Sequence, residues 1–289
     1  EPQHGGVVLV MIGEDTVSGL ACRSPIDRAF LSDLIGRLQR AGVRAIGLDL
    51  LFDQPTLPAH DERLRRTIRN ASIPVVATTA LDHTPLTVRQ RAHLAAFLEG
   101  VPLGHANVAK DPVDGTVRWH VPRGADGTPS FPARIAAAVG VAPPTEPFRV
   151  AWRRGPDSGR PPMPTYPAEA IGLVPDGWLK GRIVLIGTDL VGIDHHRTPI
   201  SRAGVNIPGV EIQGHILAQI LDGRTAPRLS TDLEAGLVLA FATAGVALAL
   251  SGLALWILAA ATAACLAALW VGSAALLAAG GPLVPPLAA

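Results

Sequence analysis

The sequence predicts an α/β domain with a mixed, mostly parallel sheet flanked by helices, followed by an α-helical transmembrane hairpin. Three observations carry this expectation. Aliphatic runs at 6–13, 43–53 and 182–187 end in glycine or acids and are apolar at nearly every position, as strands buried on both faces are. Amphipathic segments separate several of these runs, which is the rhythm of βαβ units. The charge also stops abruptly: all 25 basic residues, all 24 acidic residues and all 9 histidines lie at or before Glu234.

The first strand, 6–13, leads to an acidic turn at Glu14 and Asp15. Ser24 then reads as a helix N-cap, with Pro25 in the first position and Asp27 in the first turn. Phe30, Leu31, Leu34, Ile35 and Leu38 form one apolar stripe, and Gly42 supplies the stop. The chain returns as a strand at 43–53, so strand, helix and strand imply a parallel pair joined by a right-handed crossover. A charged helix at 61–70 precedes a third strand at 74–79. A further helix is expected at 87–99, and an Asp114-Gly115 turn marks a hairpin. A short alanine-rich helix is predicted at 131–139 and a strand at 148–152. The proline- and glycine-rich stretch 155–167 is expected to be a surface loop.

Residues 182–223 organise the domain. They read as a strand, a polar loop at 188–208, and a helix from Gly209 with Ile212, Ile216 and Ile220 on one face. Such a βα corner is where open α/β sheets bind ligands. The domain is expected over 5–225, with a linker at 226–232. The charge-free tail predicts spans at 233–251 and 253–279, each near the ~20 residues that cross a bilayer. Thr231 and Glu234 form a capping-box pattern before the first span, and Ser251-Gly252 is the expected turn. A third, truncated span is expected to begin at 283–289.

The lipid bilayer is therefore the first expected partner. A net charge of +1 argues against nucleic acid, which calls for a concentrated basic face. Cys22 and Cys265 sit in different materials, so no disulfide is expected.

Seven residues are candidates for ligand binding. Asp49 and Asp53 end the second strand, where paired carboxylates hold cations, exchange protons or cap turns. Asp194, His195 and Arg197 lie in the polar loop. Adjacent histidines in a loop point different ways, so His195 and His196 are not expected to form a zinc site. Glu211 and His215 are four apart at a helix start and share a face. The helix dipole alone accounts for Glu211, and the alternative is that this face walls a pocket with the loop. No catalytic residue, metal or cofactor is expected. The chain lacks the Gly-x-Gly-x-x-Gly and Gly-Lys-Ser loops, the Gly-x-Ser-x-Gly elbow and His-Glu-x-x-His.

Several blocks, in order, resemble the CHASE2 family, extracytoplasmic sensor domains of bacterial transmembrane receptors. They are Ser24-Pro25-Ile26-Asp27-Arg28, the 42–53 strand with its terminal acids, Asp61 with its helix, and Asp114-Gly115-Thr116-Val117-Arg118. The 181–187 strand with Asp194, then Thr198-Pro199, and Pro208-Gly209-Val210-Glu211 complete the series over residues 5–223. The resemblance implies an input module outside the bacterial cytoplasmic membrane, preceded by one span and followed by about three. Beyond these it implies a cytoplasmic output domain, such as a cyclase or kinase, that this chain does not contain. It assigns no binding residues and leaves the stimulus, a small molecule or a protein, unnamed. Signalling helices usually work in pairs, so a homodimer is a further expectation. Two other readings are a stand-alone membrane protein acting through protein contacts, and a periplasmic hydrolase using Asp49, Asp194 and His215.

Overall fold

A computed structural model describes residues 1–20, 23–157, 159–201, 205–224 and 231–278. The chain divides into two compact units, Glu1–Thr225 and Ala226–Ala289. Cys22, residues 226–230 of the linker, the cap pairing of Thr231 with Glu234 and the third span at 283–289 lie outside what is described.

In the first unit, β1 (Val7–Gly13) is followed by the short α1 (Glu14–Ser18), α2 (Arg28–Arg40), β2 (Ala45–Asp49), α3 (Pro58–Arg69) and β3 (Val75–Thr79). Then come α4 (Val88–Phe97), β4 (Leu103–His105), β5 (Ala109–Lys110), β6 (Val117–His120), α5 (Phe131–Ala138) and β7 (Phe148–Arg149). The unit closes with β8 (Thr165–Pro167), a 3-10 turn (Ala168–Leu173), α6 (Asp176–Leu179), β9 (Ile183–Asp189), β10 (His195–His196), β11 (Ile207–Pro208) and α7 (Gly209–Leu221).

The main sheet has six parallel strands in the order β4-β3-β2-β9-β1-β8. β1 and β2 are parallel, as expected, yet they are not neighbours, because β9 pairs with both. Alternation along the strands sorts their side chains between two cores. Val8, Val10, Val184 and Ile186 face α2, α3 and α4, whereas Val7, Leu9, Ile183 and Leu185 face α5 and α7. Each fully buried aliphatic side chain of this kind is worth about 1.5–3 kcal/mol. Gly47 brings α5 onto β2, since a Cβ there would stand 2.6 Å from Ile135 Cδ1 and 2.8 Å from Phe131 Cζ.

Local chemistry explains most element boundaries. α2 starts three residues later than Ser24 suggests: its N-cap is Asp27, whose carboxylate accepts from Ala29 N and Phe30 N. Asp and Ser are equally good caps, and the Ser24–Pro25 peptide, which is cis, lies upstream of the helix. α4 starts at a Thr87/Gln90 capping box. β5 and β6 form the expected antiparallel hairpin around Gly115, whose φ of +70° suits glycine. The loop expected at 155–167 ends instead in β8, which lies at the sheet edge, where proline is tolerated.

The second unit holds α8 (Thr231–Leu250) and α9 (Leu255–Ala278), with Gly252 at φ +64° between them. Leu255–Ala275, 21 residues, is long and apolar enough to cross a membrane. At 1.5 Å per residue this is about 31 Å, the thickness of a hydrocarbon core. The apolar part of α8, Ala235–Leu250, is shorter.

Candidate functional site

The topology opens a crevice at the carboxyl ends of the strands. After β1, β2 and β3 the chain passes to helices on one face, and after β4 and β9 it passes to α5 and α7 on the other. β2 and β9 are neighbours, so the segments that follow them part, and β3 and β4 diverge likewise. Strand-order switches of this kind form ligand clefts in open α/β sheets. The cleft here has a volume of about 520 Å³. Strand-end residues Asp49, Thr78 and Thr188 line it, together with exposed Arg23, Lys110 and Asp194.

Most charges in the crevice already have partners. Arg28 is only 2% exposed. Its guanidinium donates to the carbonyls of Ile26 and Gln54 at 3.2 and 3.3 Å, lies 3.6 Å from Asp61 and sits 4.7 Å over the Phe52 ring. Phe97 stacks on Phe52 at 5.1 Å, completing an aromatic floor for the cation. Arg23 pairs with both oxygens of Glu14. The Val191 N–H, and then Arg23, hold the Glu14 carboxyl below its usual range. Asp53 accepts from Gln90 Nε2 at 2.6 Å, and Thr78 donates across to the Leu50 carbonyl at 2.8 Å.

Asp49 is the exception. Its side chain is partly buried and accepts no hydrogen bond among the described residues, and burial followed by the charge of Asp194 pushes it up to about 8. An acid in that state keeps its proton at neutral pH unless a cation arrives.

Asp194 links the crevice to α7. Its backbone takes a left-handed φ of +49°, uncommon outside glycine, and its carbonyl accepts from Gly209 N at 2.8 Å. A Cβ on Gly209 would overlap the Asp194 carboxylate, so this acid rests against the first residue of α7, where the helix dipole favours negative charge. His196 Nε2 lies 2.8 Å from Asp194 Oδ1. β9 touches the same helix end, because a Cβ on Gly187 would run into Val210.

Of the seven candidates, Asp49, Asp53 and Asp194 converge on the crevice, and the other four are not among its lining residues. His195 bridges the Ile193 carbonyl and Asp189, at 2.6 and 3.0 Å. Arg197 is exposed, and its carbonyl accepts from Val117 N at 2.8 Å. Glu211 and His215 do share a face, 4.0 Å apart, under the helix. His215 packs edge-on to Trp152 at 5.1 Å, and its Nδ1 accepts from Arg153 N at 3.3 Å. Burial first, and then the charges of Arg153 and Arg224, lowers His215 to about 3, so it is neutral. Burial, and then Asp189, raises Glu211. Sequence reasoning missed Arg28, Lys110 and the threonines as crevice residues.

The opposite pole holds the entry and exit of the unit. His4 Nε2 lies 3.1 Å from Asp222, Arg153 bridges Asp222 and Glu1, and Arg224 reaches Glu1 at 3.2 Å. α7 thus runs from the crevice to this cluster, a length of about 20 Å for its 13 residues.

No curated protein and no solved structure matches the chain. A family comparison does: the CHASE2 domain matches residues 1–259, which include the whole crevice, α7 and the start of α9. With that match over most of its length, the chain belongs to the CHASE2 family, a family of extracellular sensory domains.

Proposed function

We propose that this chain is the input module of a bacterial transmembrane receptor. Its domain lies on the extracytoplasmic side of the cytoplasmic membrane, the apolar helices anchor it there, and a cytoplasmic output domain receives the signal. The stimulus enters the crevice at the strand ends. α7 then carries the preference for one arrangement to the linker and α8. The observation that carries this reading is the placement of α7. Its first residue meets Asp194 of the crevice wall, and its last turn is tied to Asp222, Arg224 and the start of the domain. A ligand shifts such an equilibrium only by its differential affinity for the two arrangements. Pairing of two copies in the membrane is the natural setting for this transfer.

The test joins the carboxyl end of the chain to a reporter cyclase in bacterial membranes. Ile193→Trp fills the crevice from a residue that is 40% exposed, so the domain tolerates it. The expected result is a several-fold change in cyclase output. Inserting one to four residues at Pro227 is expected to change the output as well. An output indifferent to both alterations contradicts the reading and favours a membrane protein that acts through contacts alone.

A further inference from the structure

We propose that the crevice binds a small organic cation, a primary amine whose ammonium group sits on Asp49. This rests on the reading of the crevice as the input site and names the chemistry of what enters it.

Most charged groups around this cavity are committed to partners. Arg28 on α2 is committed to Asp61, two carbonyls and Phe52. Arg23 is committed to Glu14, Asp53 to Gln90, and Asp194 to His196 at the start of α7. Two charged groups remain without a partner among the described residues. Lys110 is exposed and remains in water, whereas Asp49 is partly buried at the end of the central strand β2. Asp49 accepts no hydrogen bond among the described residues, and the charged neighbour that acts on it is another carboxylate, Asp194. What Asp49 lacks is a hydrogen-bond donor that carries positive charge. An ammonium group brings three donors and one charge, which offsets the repulsion between the two acids.

Size and lining select an organic cation. A cavity of about 520 Å³ is far larger than an ion needs and falls within the range of small-molecule sites. Ile26, Leu50, Leu190 and Ile193 give it apolar wall for a carbon chain. Among the described residues no three His, Cys, Asp or Glu side chains converge as metal ligands. A divalent cation would ask for about six oxygens.

The experiment is calorimetric titration of the whole chain in detergent micelles. The probes are 1-aminobutane, 1,4-diaminobutane, tetramethylammonium as a cation without N–H donors, and magnesium chloride at matched ionic strength. The amines are expected to bind, with affinity rising about tenfold per pH unit up to pH 8 and levelling above it, as a cation displaces the proton on Asp49. Each bound amine is expected to release a proton at pH 7. Asp49→Asn, which keeps the shape and removes the charge, should weaken binding at least about tenfold and abolish the release. Tetramethylammonium should bind more weakly than either amine. Amine binding that is flat with pH, or unchanged in Asp49→Asn, overturns the proposal, as does magnesium binding with no amine binding. Failure of the input reading is separately visible. If amines bind at Asp49 while Ile193→Trp leaves cyclase output unmoved, the crevice is a site without being the input. If amines fail and Ile193→Trp still moves the output, the ligand class falls and the input reading stands.

Discussion

At the amino ends of the strands, the charges around the chain's entry and exit are joined to one another. Asp222 holds His4 and Arg153, and Glu1 holds Arg153 and Arg224. At the carboxyl ends, Asp49 faces a cavity and accepts no hydrogen bond among the described residues, and the charge that acts on it is a second acid, Asp194. Paired charges fix a geometry, and here they fix the end of α7 to the start of β1. An unpaired acid costs stability and is retained where something else completes it. On the proposed reading the two poles divide the labour of a sensor, one open for a ligand and the other closed to hold the point of exit.

The largest expected effect breaks the wall between the two kinds of charge. Arg28→Ala leaves Asp61 and two carbonyls without their cation and uncovers Phe52. It is expected to cost about 3 kcal/mol in a denaturant titration, as loss of one partner from a buried pair does.

The next effect is read from pH. His120, bonded to Ser130 at 2.8 Å, and His215 are both held to about 3 in the folded chain, chiefly by burial, against 6.5 when unfolded. The unfolded chain takes up protons below 6.5 and the folded chain does not. Stability present at neutral pH is therefore lost as pH falls from 6.5 toward 3, by at most about 1.4 kcal/mol per unit for each histidine. His215→Gln is expected to flatten that acid limb by one proton.

Asp49 has the opposite sign. Its folded value of about 8 lies above the ordinary 3.8, so its contribution falls as pH rises through 4 to 8. Asp49→Asn is expected to stabilise the fold at pH 8 and to change it little at pH 4, where the carboxyl is largely protonated. The matching change at the paired pole, Asp222→Asn, is expected to lose less than about 1 kcal/mol, because Asp222 is 30% exposed. A gain at one pole and a loss at the other is the comparison in its sharpest form. A loss at both would erase it.

Much of the fold was legible because each strand is a short aliphatic run and most helices carry recognisable caps. Pattern alone does not say which parallel strand lies beside which, so the insertion of β9 between β1 and β2 was invisible. β8 was hidden for another reason. Three residues, preceded by Pro164 and ending in Pro167, give no periodicity, and the strand pairs with the edge that β1 offers. The site was legible where chemistry sits at strand ends: Asp49 and Asp53 after β2, and Asp194 after β9. It was not legible where burial decides. Glu211 and His215 have the spacing of a functional pair, yet the sheet-facing side of α7 turns His215 into a neutral core residue. Arg28 joined the crevice only through Phe52 and Asp61, distant in sequence.

The central claim is that the state of the crevice is felt at the far end of α7. Amide hydrogen exchange on the whole chain, comparing it with Ile193→Trp, tests this most directly. The amides to follow are those of Asp222, Gly223 and Arg224, which donate to Ala218, Ile220 and Gln219 at 3.0, 3.2 and 3.1 Å. The account predicts that their exchange changes several-fold while that of the edge strand β8 does not. Changes confined to residues that line the crevice would contradict it.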